Sequence, residues 1–230
     1  MFVRQGTLSA NSSSDRIPAI TLRFYDYSEA TMAVRDMREL LKHELGDLLY
    51  AEKQVLKTLP KMVKDSMDPA MTDRLRLHRQ ETEQQIQNLE SAFAAMGEKA
   101  RGQKCPGILG IIEEYTSFKD DEKPTPEIQA AFNLGAGLRV EHYEIAAYRS
   151  AVATAKSLGQ AEVANLLTAN LRQEEDMARF LTTSAPRALR TLGQQAAVAG
   201  DGAASGSARK GGKKGGAKKG KAKKRSASRA

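Results

Sequence analysis

Apolar residues recur at spacings of three and four through four stretches of the chain, the period of a helix with one buried face. The first stretch runs from about Thr31 to Asp65 and carries the stripe Leu41, Leu45, Leu48, Leu49, Val55, Leu56, Leu59. Pro60 lies within it and is expected to kink the helix or end it near Leu59, because proline lacks an N–H and crowds the preceding turn. Asp68-Pro69 then opens a second helix with a capping residue followed by proline at the first helical position. That helix reaches about Met96 on the stripe Met71, Leu75, Leu89, Phe93, Met96, interrupted by His78, Thr82 and Gln85, and Gly97 is its natural stop. Thr125-Pro126 repeats the starting device for a third helix, with Leu134, Leu138, Ile145, Tyr148 and Val152 buried and Gly159 as the stop after about Leu158. The fourth helix runs to about Ser184 on Val163, Leu167, Leu171, Ala178 and Leu181, and Pro186 is expected to end it.

Between the second and third helices, Glu98 to Lys123 lacks this period. Gly102, Cys105-Pro106-Gly107 and Gly110 mark a connection, in which Ile111 to Phe118 is expected to form one short helix. Antiparallel neighbours in a bundle need only about 2–8 connecting residues. A bundle with one long crossover at this place is ferritin-like. The fold class expected is therefore all-α, a ferritin-like four-helix bundle over residues 31–185. Residues 1–30 and 186–230 show no apolar period and are expected to be a disordered extension and a disordered tail. Met32 and Met37 sit just before the first stripe, so a start beyond Met1 stands beside an ordinary disordered N-terminus. With no run of 18 apolar residues and no apolar signal segment, neither a membrane span nor a secretory leader is expected. Cys105 is the lone cysteine and has no internal disulfide partner, which suits a cytoplasmic protein.

The helices carry carboxylates in an unexpected place. Leu45-Gly46 precedes Glu52 by seven residues, and Leu134-Gly135 precedes Glu141 by seven. Arg79-Gln80-Glu81 recurs as Arg172-Gln173-Glu174. The two hairpins thus repeat each other, with one glutamate at a matching height on each of the four helices. At about 100° per residue, Glu52, Glu141 and Glu174 fall in the middle of their apolar stripes. Glu81 falls at the edge of its stripe, where His78 and Gln85 are more central, and Glu144 flanks the face of Glu141 one turn later. A single helical glutamate is most often solvated or paired with lysine one turn away. Four together in an apolar interior repel one another and resist ionisation. Two divalent cations resolve both problems, as in di-iron bundles. Glu52, Glu81, Glu141, Glu144 and Glu174 are the candidate ligands. His78 is a second-tier candidate, equally readable as a satisfied core histidine.

The segments Leu49-Tyr50-Ala51-Glu52-Lys53-Gln54, His78-Arg79-Gln80-Glu81-Thr82, Arg139-Val140-Glu141-His142-Tyr143-Glu144-Ile145-Ala146-Ala147-Tyr148 and Glu174-Glu175 resemble the YciE/YciF-like family of bacterial ferritin-like proteins over roughly residues 35–185. The resemblance implies a rubrerythrin-related bundle, a stress association and a di-metal site. The pattern departs from ferritins and rubrerythrins, whose second and fourth helices carry Glu-x-x-His, because the positions three after Glu81 and Glu174 are Gln84 and Met177. A site of carboxylates with at most one imidazole is hard and oxygen-rich, and suits Fe or Mn.

Charge sharpens the picture at the C-terminus. The chain's net charge is +8, yet 11 of its 36 basic residues fall in 209–230, which has no acid; the remainder carries 25 basic against 28 acidic side chains, a net of −3. Lys210, Lys213, Lys214, Lys218, Lys219, Lys221, Lys223, Lys224 and Arg225 form an electrostatic arm suited to phosphate backbones without base readout. An anionic membrane patch or a solubility tail are the blander readings. The expected function is that of a cytoplasmic, nucleoid-associated stress protein, a homodimer whose two Fe or Mn ions handle iron or peroxide while the tail holds DNA. Di-iron ferroxidase or peroxidase-like chemistry is the enzymatic form of this expectation. The alternative is a non-enzymatic DNA-associated protein that shields or compacts nucleic acid, its bundle serving for oligomerisation.

Overall fold

The computed structural model describes residues 34–209, and side chains to residue 198. The expected 1–30 extension and the basic residues Lys210 to Arg225 lie outside the described residues. Among those described there are five helices and no strand: α1 (Met37–Asp65), α2 (Pro69–Ala95), α3 (Pro106–Glu122), α4 (Pro126–Ser157) and α5 (Ala161–Arg209).

Local chemistry sets most of the ends. Asp36 caps α1, accepting from the Glu39 N–H at 2.8 Å, while the Glu39 carboxylate accepts from the Arg35 N–H at 2.7 Å, a reciprocal capping pair. Asp68 caps α2 by accepting from the Met71 N–H at 2.9 Å. Thr125 occupies the corresponding position before α4, but its side chain makes no capping bond. Gly97 and Gly159 both take φ +69, the left-handed conformation that lets the chain turn away after a helix.

The first helix runs through Pro60 to Asp65, the end its stripe predicts, and one expectation is corrected: Pro186 does not stop α5, which continues to Arg209. Proline removes one N–H and crowds the turn before it, yet tertiary burial outweighs that here. Beyond Pro60 the Met62 side chain is buried, and beyond Pro186 the Leu192 side chain is buried while Ala188 packs on the core. The boundary drawn at residue 185 therefore cuts through a helix that still contributes to the bundle. The crossover helix is also longer than Ile111–Phe118, since Pro106 starts α3 and Ile108 and Tyr115 anchor it.

α1 packs on α2 and α4, and α5 packs on α2 and α4, so α1 lies diagonally across from α5. Neighbours run antiparallel: Glu52 and Glu44 of α1 bond Tyr148 and Ser150 of α4, and Gln85 and Asn88 of α2 bond Glu174 and Asn170 of α5. α3 lies against α4 and α1. The crossover reaches it by passing over Gly46, whose carbonyl accepts from the Gln103 N–H at 2.9 Å. A Cβ on Gly46 would lie 3.1 Å from the Arg101 carbonyl oxygen, which accounts for glycine there.

The apolar interior falls into two clusters. One holds Leu41, Leu45, Leu48, Leu49, Leu89, Phe93, Val163 and Leu167. The other holds Val55, Leu59, Met62, Met71, Leu75, Leu134, Met177 and Leu181. A layer of buried polar side chains lies between them along the helices.

Candidate metal centre

The polar layer is built from one or two turns of each long helix. α1 contributes Glu52, α2 contributes His78, Thr82 and Gln85, α4 contributes Glu141, Glu144 and Tyr148, and α5 contributes Asn170 and Glu174. All nine are at most 2% exposed, although eight of them, all but Tyr148, are polar or charged residues that would ordinarily face water.

Hydrogen bonds fix one side of the layer. Tyr148 donates its hydroxyl to Glu52 at 2.5 Å and accepts from the Asn170 amide at 3.0 Å. The same Asn170 amide donates to the Gln85 carbonyl at 3.2 Å, and Asn88 donates to the Asn170 oxygen at 2.7 Å. Gln85 donates to Glu174, and Thr82 donates to the His78 carbonyl at 3.0 Å. On the other side the groups lack partners. The second oxygens of Glu52, Glu141 and Glu174, both oxygens of Glu144, and both ring nitrogens of His78 are buried without a hydrogen bond. Buried polar groups are nearly always paired, so seven orphaned atoms in one layer mark a place built for a further component.

The electrostatics agree. Burial is the main cause that pushes Glu52 up to about 7, with Glu141 adding to it and the Tyr148 bond and His78 opposing it. Burial, and then the charges of Glu52, Glu174 and Glu141, hold Glu144 well above the ordinary carboxylate range. Burial and the charge of Glu141 do the same for Glu174. His78 moves well above its ordinary value: burial opposes its charge, but Glu141, Glu81 and Glu174 outweigh that. Like charges forced together in a dry layer hold protons until a cation replaces them.

One ligand atom each of His78, Glu141 and Glu174 lies within 4.8 Å of the other two, an arrangement that can hold a metal ion. His78 Nε2 stands 3.4 Å from Glu141 Oε1. The sequence candidates thus sort unevenly. Glu52, Glu141, Glu144 and Glu174 share the layer, and the second-tier His78 is central to it. Glu81 stands apart: its carboxylate bonds Arg74 at 2.7 Å and reaches only the far nitrogen of His78, at 3.5 Å. Its edge position on α2 turns it toward that guanidinium, so it orients the imidazole rather than joining the cluster. Tyr148 and Gln85, which each hold a carboxylate oxygen in place, were legible only as stripe positions, and Asn170, which holds Tyr148, was not singled out in the sequence. Their signal was a polar residue, or a tyrosine, recurring at stripe positions.

The architecture and this layer define a class: an all-helical bundle with a buried, carboxylate-rich centre between two apolar halves. The chain belongs to the family described as Domain of unknown function (DUF892), whose model matches residues 36–195. It is 28% identical over 145 residues to Protein YciF of Escherichia coli K12, covering 63% of this chain and 87% of that one. The crystal structure of the E. coli stress protein YciF superposes with a TM-score of 0.63 at 27% identity, covering 68% of this chain and 98% of the other. YcfI of Rhodopseudomonas palustris superposes with a TM-score of 0.64 at 35% identity, over 66% and 97% of the two chains.

Proposed function

We propose that this chain is a stress-related, ferritin-like protein whose bundle holds two Fe or Mn ions among Glu52, Glu141, Glu144, Glu174 and His78, and whose Lys-rich tail tethers it to DNA. The observation that carries the reading is the set of orphaned carboxylate oxygens and imidazole nitrogens in one dry layer. Their chemistry fits hard, oxygen-preferring cations with one nitrogen ligand. When bound, such ions supply one-electron redox chemistry toward dioxygen or peroxide. The protein's own residues do the rest. Tyr148 and Gln85 each hold one carboxylate oxygen and leave the other free. Glu81, itself fixed by Arg74, sets the orientation of His78. The closed apolar cluster around Leu41, Leu45, Leu89 and Phe93 keeps bulk water from one side of the layer. The relative named as a stress protein supports the physiological setting. The alternative, a non-enzymatic DNA-associated bundle, has no such need for seven unpartnered buried atoms.

Metal analysis after anaerobic Fe(II) loading tests the centre. About two ions per chain are expected in the native protein and none in Glu141→Ala with Glu174→Ala, with helical circular dichroism retained in both. Unchanged metal content in the double variant removes the assignment. The tail is tested by duplex binding of the full chain and of a chain ending at Val198. If on the order of 6–8 phosphates are neutralised, log K against log salt falls with a slope of about −5 to −7, since each phosphate contributes about −0.9. Equal binding by the shortened chain, or strong preference between two unrelated duplexes, refutes the tether.

A further inference from the structure

A cavity of about 100 Å³ runs through the half of the bundle that holds Met62, Met71 and Met177. Its floor is the metal layer itself, at His78 and Glu141, and its walls are aliphatic: Val55, Leu59, Leu134, Met177 and Leu181. Its rim lies between the turn joining α1 to α2, at Met67 and Asp68, and the part of α5 beyond Pro186, at Thr191 and Gln195, all exposed. Between rim and floor most of the lining side chains are apolar, and a wholly apolar cavity of roughly 150 Å³ takes benzene.

Above the floor, one buried lining residue is polar. Asn133 is 8% exposed, its oxygen accepts from the Gln129 amide at 2.7 Å, and its own amide nitrogen is buried without an acceptor. A ligand oxygen would complete it. The floor sets a second condition. Glu52, Glu141, Glu144 and Glu174 already crowd the buried layer, and an anionic head group, such as a fatty carboxylate, would have to shed its water in an apolar pocket to reach it, whereas a neutral oxygen-bearing end carries no charge to desolvate.

We propose that this pocket binds a small neutral amphipathic molecule, its short alkyl group in the aliphatic cavity and its oxygen end between Asn133 and the carboxylate layer. Resting on the function proposed above, its substrate class is an organic hydroperoxide. Two-electron cleavage of such a molecule breaks its O–O bond, takes up two electrons and two protons, and leaves an alcohol and water; the two electrons would come, one each, from two ferrous ions held by Glu52, Glu141, Glu144, Glu174 and His78. Hydrogen peroxide has no alkyl group to place, so the pocket separates the two oxidants.

tert-Butanol, the stable alcohol product of tert-butyl hydroperoxide, is the probe for binding. Titrated into the full chain after chelation, it should shift amide signals around Val55, Leu134, Asn133 and Leu181. Ala130→Leu places extra methylenes in the cavity, and Gly137→Ala places a methyl 3.3 Å from the Leu181 side chain. Either should weaken tert-butanol binding by about tenfold or more, the effect of small steric changes in an apolar pocket. In the Fe(II)-loaded protein, Ala130→Leu should lower the ratio of the tert-butyl hydroperoxide rate to the hydrogen peroxide rate by about tenfold. Shifts scattered over the surface, or binding unaffected by both variants, overturn the pocket even if metal binds. tert-Butanol binding in a chain that takes up no metal upholds the pocket and removes the function on which the hydroperoxide class rests.

Discussion

The two apolar halves of the bundle have the same architecture and different characters. The half around Leu41, Leu45, Leu49, Leu89, Phe93 and Leu167 is closed, with each of these side chains at most 1% exposed. The half around Met62, Met71, Leu134 and Leu181 contains the cavity, and three of these four are 8–9% exposed. Leucine and phenylalanine fill space with well-defined rotamers, while methionine fills irregular gaps and yields readily. The difference teaches that one end supplies stability and the other supplies access, with the carboxylate layer at the boundary. The largest test of this contrast is truncation in each half. Leu45→Ala, in the closed half, should cost about 4 kcal/mol, because a tightly packed site collapses little around the lost atoms. Leu181→Ala, beside existing space, should cost about 2 kcal/mol, having fewer contacts to lose. Urea unfolding of the two variants reads the difference directly; equal losses would mean that the second half is as tightly packed as the first.

The layer between the halves should make the metal-free protein prefer acid. Glu52 is raised from 4.5 to about 7, so the folded state holds its proton more tightly than the unfolded state does. That contribution is fully present below pH 4.5 and is lost as pH rises through about 7, amounting to roughly 3 kcal/mol for a group so completely buried. Glu144, Glu174 and His78, all raised, act in the same direction. Glu81, which is lowered against burial by His78 and Arg74, opposes them but is only partly buried and weaker. After chelation the urea midpoint should therefore fall from pH 5 to pH 8. Added Fe(II) or Mn(II) should reverse that trend, since metal replaces protons on the same oxygens. A chelated protein more stable at pH 8 than at pH 5 would mean that water already solvates the layer.

How much of this was readable beforehand differs between the halves in the same way. The leucine stripes of the closed half gave a strong helical period, and Asp68-Pro69, Thr125-Pro126, Gly97 and Gly159 marked the ends correctly. Glu52, Glu141 and Glu174 stood out because a charge within an apolar stripe breaks the pattern. The other half was harder to read. Its stripe on α5 passes from Leu181 to Ala185, Ala188 and Leu192, and alanine carries little apolar weight, so Pro186 looked like an end. His78, Thr82 and Gln85 looked like interruptions, because a polar residue serving a buried network resembles one facing solvent until its partners on other helices are known. The cavity depends on how four helices meet, which no single stripe records.

The extension past Pro186 belongs to the open half and should be held by few contacts. Leu192 is 9% exposed and Leu189, three residues earlier, is 47% exposed. Leu192→Ala should cost about 1.5 kcal/mol, near the value of burying one such side chain. Leu189→Ala should change stability by less than about 0.5 kcal/mol, as expected of an exposed site. Thermal unfolding of the pair separates them. Equal effects would mean that α5 beyond Pro186 does not pack on the bundle in solution.

The two prolines give the smallest effect and the finest contrast. Pro60 and Pro186 each sit within a helix, each is exposed, and each removes one helical N–H. Replacing either by alanine restores that bond and relieves crowding with the preceding turn. It also frees the unfolded chain, which offsets about 0.4–1 kcal/mol of the gain. At Pro60 the helix is packed on both sides by Leu59 and Met62, so its geometry has already adjusted to the proline, and Pro60→Ala should raise stability by no more than about 1 kcal/mol. At Pro186 the following turns are held mainly through Ala188 and Leu192, so the restored bond acts on a segment that opens locally. Pro186→Ala should leave global stability nearly unchanged and instead slow hydrogen exchange of the amides of residues 187–195 by a few-fold, because local opening there has its own smaller free energy. Slower exchange throughout the bundle would show that the extension unfolds together with the core, and the distinction between a closed end and an accessible one would fail at its outermost turn.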